Sequence, residues 1–78
     1  MKKGTLMTSA SIVYNLTTKE REVLHLTSQG CSAKEVAISL EIAPRTVEKH
    51  VDHLRLKLRA RNRAHLIAIA FNSGLIST

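Results

Sequence analysis

The chain has 78 residues, 44% of them hydrophobic and 23% charged, with a formal net charge of +6. That length excludes several domains and leaves one small core, burying about 60% of the surface that the unfolded chain exposes. With one Tyr and one Phe, the core is expected to be aliphatic and helical, and the single cysteine, Cys31, cannot make an internal disulfide.

The excess charge is local. Residues 1–15 hold two lysines, residues 16–40 balance to zero, residues 41–63 carry seven cations against three anions, and residues 64–78 carry none. A basic segment of this kind suits a polyanion such as DNA, although basic faces also occur for solubility alone.

In chain order, Lys2 and Lys3 precede a stretch that Thr5, Thr8, Ser9 and Ser11 interrupt, so neither a signal peptide nor a membrane span is expected. Residues 1–15 read as a flexible arm and residues 16–78 as the folded domain. Thr17-Thr18-Lys19-Glu20 is a capping box. It opens a first helix that runs to about Gln29, buries Val23, Leu24, Leu26 and Thr27, and stops at Gly30. Glu20 falls inside that apolar sector, so its carboxylate needs a partner, supplied by the cap or by an arginine.

Ser32-Ala33-Lys34-Glu35 is a second capping box. The short helix behind it turns Val36, Ala37 and Leu40 inward and Ile38 outward. Glu41-Ile42-Ala43 then links it to a helix over residues 44–58, where Pro44 suits a first turn because its missing N–H would have no partner there. Two short helices joined in this way make a helix-turn-helix pattern, one that helical hairpins without any nucleic-acid role also show.

In the third helix Val47, Val51, Leu54 and Leu58 fall on one buried stripe. The opposite face holds Arg45, Lys49, Asp52, His53 and Leu56, with Glu48 and Arg55 on one flank and Thr46, His50 and Lys57 on the other. Asn62 caps a fourth helix from Arg63 to Ser73, ended by Gly74. It is apolar nearly all round. Ala64, Ile67, Ala70 and Phe71 share one face and Leu66 and Ile69 the other, beside His65 and Ser73. Because so small a domain cannot cover both faces, His65, Leu66, Ile69 and Ser73 are expected to form a dimer interface.

His50 and His53 lie one turn apart, but without carboxylate or cysteine support they suggest no metal site. No nucleophile with its base and no Gly-rich phosphate loop is seen, so neither an enzyme nor a cofactor is expected. The cationic run Lys57, Arg59, Arg61 and Arg63 suits phosphate clamping.

Taken together, Leu16-Thr17, Lys19-Glu20, Glu22-Val23-Leu24, Gly30, Ser32, Lys34-Glu35-Val36-Ala37, Leu40, Ile42, Thr46-Val47, His50, Lys57-Leu58, Asn62-Arg63 and Gly74-Leu75-Ile76 resemble the LuxR-type helix-turn-helix domain. The same domain is named after GerE and is the output domain of FixJ-like response regulators. The likeness runs from Leu16 to Ile76 essentially without a gap.

It implies an all-α, four-helix bundle with a central helix-turn-helix and no wing, binding double-stranded DNA as a dimer through the fourth helix. It also implies phosphate contacts at Lys34, Thr46 and Lys57 and base-edge contacts at Glu48, Lys49 and Asp52, to which the outward face adds Arg45. Two departures stand out. Glu48 and Asp52 occupy positions that are often basic or amide in that family, and they either accept from cytosine N4 or pair with Arg45, Lys49 or Arg55. Ala43 replaces a frequent serine cap, at a cost to the third helix of about 1 kcal/mol.

The expected function is a sequence-specific transcriptional regulator of the bacterial cytoplasm and nucleoid, acting as a homodimer, with no small-molecule ligand. RNA polymerase or a larger LuxR-type regulator is a further possible partner. The alternative is a protein-interaction module that heterodimerises through its fourth helix with such a regulator. The chain is either free-standing or an excised output domain.

Overall fold

Two capping boxes start the fold. Thr17 Oγ1 accepts from the Glu20 N–H at 3.0 Å while Glu20 Oε1 accepts from the Thr17 N–H at 2.9 Å. Ser32 and Glu35 repeat the exchange at 3.1 and 2.8 Å. Each exchange satisfies two donors that a helix start would otherwise leave open.

The computed structural model describes residues 14–76. Among them four helices are complete: α1 (Thr18–Ser28), α2 (Ala33–Leu40), α3 (Pro44–Leu58) and α4 (Arg63–Asn72). Of the expected arm, residues 1–13 lie outside the described residues. Tyr14 packs against the core, half-buried.

The helices end alike. A left-handed residue follows each: Gly30 at φ 93°, Glu41 and Arg59 at φ 57°, and Gly74 at φ 80°. The next residue's N–H then returns to a carbonyl five residues back, Cys31 to Leu26 at 3.2 Å, Ile42 to Ala37 at 3.0 Å, Ala60 to Arg55 at 2.8 Å and Leu75 to Ala70 at 2.9 Å. This closing bond turns the chain sharply, which is why three- to four-residue links suffice. At Glu41 and Arg59 the same turn is made without glycine, against a preference of about 1 kcal/mol.

Every helix packs on α3, which lies against α1, α2 and α4. Its stripe Val47, Val51, Leu54 and Leu58 is buried as the spacing predicts, together with Leu16, Val23, Leu24, Val36, Ala37, Leu66, Ala70 and Ile76. Ile38 stands 70% exposed on α2, also as predicted, while Leu26 and Leu40 are only half-buried.

The expected outward face of α4 is corrected. Leu66 is completely buried, and Ala70, which the spacing had set on the opposite face, is buried beside it. Ile69 packs against the core, half-buried. Ala64, Ala68 and Phe71 are its exposed apolar residues. In a helix apolar nearly all round the period carries no preference for either side. Packing against α3 and α1 decides it.

Leu66→Ala is therefore expected to lower stability by about 2–5 kcal/mol in urea denaturation, whereas Ile38→Lys, at a 70% exposed site on α2, changes it by about 0.5 kcal/mol or less.

Candidate nucleic-acid interface

Pro44 at the first position of α3 leaves Ala43 as a cap with no side-chain hydrogen bond, the weak cap expected from its residue type. The helix is nonetheless fixed along its length by its buried stripe. Its opposite face is open: Arg45, Glu48, Lys49, Asp52, His53 and Leu56 are all exposed, and Thr46 is half-buried at the edge. Lys34 is exposed in the first turn of α2, and Arg59, Arg61 and Arg63 are exposed where the chain leaves α3 and starts α4. Exposed cations thus stand on the open face of α3 and on the segments next to it in the chain, the residue types expected of backbone-positioning groups around base-reading ones.

The connector is held from two sides. Arg55 Nη2 donates to the Arg61 carbonyl at 3.0 Å, and the Arg61 N–H donates to His65 Nδ1 at 2.9 Å. The His65 N–H in turn donates to Asn62 Oδ1, the helix cap, at 2.8 Å. His65 is therefore engaged within its own protomer. So is Ser73, whose hydroxyl donates to the Ile69 carbonyl at 2.6 Å.

Lys57 departs furthest from its expected place. It is half-buried, and its ammonium donates to Glu20 Oε1 at 2.7 Å and to the Asn15 carbonyl at 2.9 Å. Glu20 does need the partner foreseen for a buried carboxylate, and its partners are the cap and this lysine rather than an arginine. Nothing in periodicity couples residues 37 positions apart. The only hint in the sequence was a carboxylate in an apolar sector.

His53 Nδ1 also lies 4.0 Å from Glu20 Oε2. Burial alone would raise the Glu20 carboxyl; the hydrogen bonds from Lys57 and Thr17 and the lysine's charge outweigh it and hold the pKa below its ordinary value of 4.5.

The two carboxylates on the open face each have an arginine within reach. Asp52 Oδ1 is 3.9 Å from Arg55 Nη1 in the same helix, and Glu48 Oε1 is 3.9 Å from Arg63 Nη2 of α4. Pairing within α3 was one expectation for these acids; the bridge from Glu48 to α4 was not foreseen.

A short helix and a longer one, joined by a tight turn, with the longer one open on a polar face ringed by cations, define a helix-turn-helix domain of the DNA-binding class. Residues 14–70 match GerE, the luxR family of bacterial regulatory proteins. Over 72 residues the chain is 39% identical to the "probable transcriptional regulator ycf29" of Cyanophora paradoxa, covering 92% of this chain and 34% of that protein. It is 46% identical over 61 residues to the transcriptional activator protein SolR of Ralstonia solanacearum (78% and 26%). It is 38% identical over 72 residues to the response regulator Rre1 of Synechocystis sp. (92% and 31%).

The chain belongs to the luxR family of bacterial regulatory proteins and carries its helix-turn-helix DNA-binding domain. It spans 26–34% of the length of these three relatives. No solved structure matches the chain. No helix among the described residues is long and apolar enough to cross a membrane.

Because the Glu20 pKa is lowered on folding, the stability it contributes is complete above its ordinary value of 4.5 and is lost as the pH falls through the lower folded value. Glu20→Gln should therefore be clearly less stable than the natural chain at neutral pH, and the difference in urea midpoint should shrink progressively in acid. Lys57→Met leaves the carboxylate buried without its ammonium and is expected to cost about 2 kcal/mol or more at neutral pH.

Proposed function

We propose that the chain is a sequence-specific transcriptional regulator that binds double-stranded DNA as a homodimer, with α3 of each copy in the major groove. The observation that carries this reading is the open face of α3, backed by helices on its other sides and carrying exposed cations on it and in the segments beside it. Arg45, Glu48, Lys49 and Asp52 lie on the face that meets base edges. Lys34, Thr46, Arg59, Arg61 and Arg63 flank it and take phosphates. Lys57 acts from behind the face, by holding α3 to α1.

The dimer contact is drawn through the exposed side of α4, with Ala64, Ala68 and Phe71 at its centre and the half-buried Ile67 beside them. Leu66 belongs to the core and takes no part. A two-fold pair through this side would set two α3 helices on half-sites about one helical turn apart. On this reading the protein acts in the bacterial cytoplasm, with RNA polymerase as its downstream partner.

Fluorescence anisotropy with labelled genomic fragments and random duplex, across a salt series, tests the DNA reading. Binding should weaken steeply with salt and favour some fragments, and Arg59→Ala and Arg61→Ala should each reduce the log–log slope by about 0.9. Unchanged slopes in both variants would remove these residues from the phosphate set. Absence of binding to any duplex by the folded chain would refute the reading itself and direct attention to a protein partner of α4.

Phe71→Glu places a charge on the proposed dimer contact without entering the core. It is expected to keep the helical content of the domain, to sediment as a monomer, and to lose preferential binding to paired half-sites over a single one.

A further inference from the structure

The two carboxylates on the open face of α3 are held in different ways. Asp52 lies 3.9 Å from Arg55 of its own helix, with side chains 68% and 41% exposed; Arg55 is itself anchored, its Nη2 donating to the Arg61 carbonyl at 3.0 Å and its Nε shielded from solvent. Glu48 faces Arg63, the first residue of α4, at 3.9 Å, with side chains 61% and 43% exposed. Ion pairs this long and this solvated gain little over separated ions, so both open at small cost. The difference is that the hydrogen bond to the Arg61 carbonyl keeps Arg55 beside Asp52, whereas the Arg63 guanidinium makes none among the described residues.

The positions along the helix differ too. Glu48 is the fifth residue of α3 and Asp52 the ninth, which sets Asp52 about 6 Å further from the N-terminal turns that a recognition helix brings to base edges.

Resting on the DNA-binding reading above, we propose that Glu48 is the carboxylate that reads sequence, selecting a cytosine through its N4 amino group, and that Arg63 is its exchangeable counter-ion. In the free protein Arg63 covers Glu48. On a duplex it transfers to a phosphate, and Glu48 accepts from cytosine in its place. Asp52 stays with Arg55 and reads no base.

The exchange conserves favourable contacts only where the cytosine is present. Thymine offers a carbonyl oxygen at that edge in place of the amino donor, so Glu48 would be left without a partner beside like charges. The acid thus discriminates mainly by rejecting the wrong base.

The test uses the whole 78-residue chain and a pool of duplexes with a randomised core, from which preferred sites are selected. Each C·G pair of the selected site is then replaced by T·A, and affinity is measured for the natural chain and for Glu48→Ala, Asp52→Ala and Arg63→Ala, with far-UV circular dichroism to verify folding.

The natural chain is expected to lose about five-fold or more at one C·G pair in each half-site. Glu48→Ala should abolish that loss and bind random duplex more tightly. Asp52→Ala should retain the loss. Arg63→Ala should retain it as well, with a log–log salt slope reduced by about 0.9.

Retained discrimination in Glu48→Ala, or its disappearance in Asp52→Ala, would overturn the assignment of Glu48 while leaving the DNA-binding reading intact. An unchanged salt slope in Arg63→Ala would overturn the transfer of Arg63 to phosphate. If the folded natural chain binds no duplex, the DNA-binding reading and this inference fail together.

Discussion

The ion pair between Glu20 and Lys57 is the constraint on which the placement of α3 depends. One carboxylate oxygen, Glu20 Oε1, receives the Thr17 N–H that closes the cap of α1 and the Lys57 ammonium that comes from the last turn of α3. The same ammonium donates to the carbonyl of Asn15, which takes a left-handed conformation at φ 56° that asparagine tolerates. The segment leading into α1, α1 itself and the far end of α3 thus meet at one group. Compared with an apolar pair, such a bridge adds little net stability, but once formed it admits few alternatives, because losing either partner strands a charge in a poorly solvated place. The apolar stripe fixes which side of α3 is buried. The ion pair ties its last turn to α1.

That arrangement governs the charge of the open face. The basic segment carries seven cations over residues 41–63, but Lys57 is spent on Glu20 and Arg55 on the connector. The exposed cations that remain are Arg45 and Lys49 on the face itself and Arg59, Arg61 and Arg63 in the segment that follows α3, with Arg63 reaching back to Glu48. A polyanion approaching this surface meets cations interleaved with two carboxylates on a mixed, hydrogen-bonding surface. Such a distribution favours recognition over indiscriminate attraction.

The links serve the same end. The turn between α2 and α3 relies on Glu41 in a left-handed conformation, and the turn after α3 on Arg59 in the same one. Both helix ends close with the same hydrogen-bond pattern as the glycine-capped ends of α1 and α4. Short, closed turns leave α2 and α4 little freedom relative to α3, so Arg63 at the start of α4 is held beside the open face. The reach of Arg63 back to Glu48 is a consequence of that tight connection.

Much of this was legible in the sequence, because its signals are local. Thr17 to Glu20 and Ser32 to Glu35 spell capping boxes within four residues each, Pro44 marks a helix start, and Val47, Val51, Leu54 and Leu58 define a buried stripe by spacing alone; the structure contains each of these. The outward position of Arg45, Lys49, Asp52 and Ile38 follows from the same periodicity.

What the sequence left open concerns contacts between residues distant in the chain or choices with no periodic preference. Leu66 and Ile69 were assigned to the outside of α4 because an evenly apolar helix carries no directional signal, and packing reversed the choice. Lys57 counted as a surface cation until the fold brought it to Glu20, and Glu48 found its arginine on α4 rather than within its own helix. Local propensity and period determine elements and faces. Only the assembled core decides which of two equivalent faces is covered and which opposite charges meet.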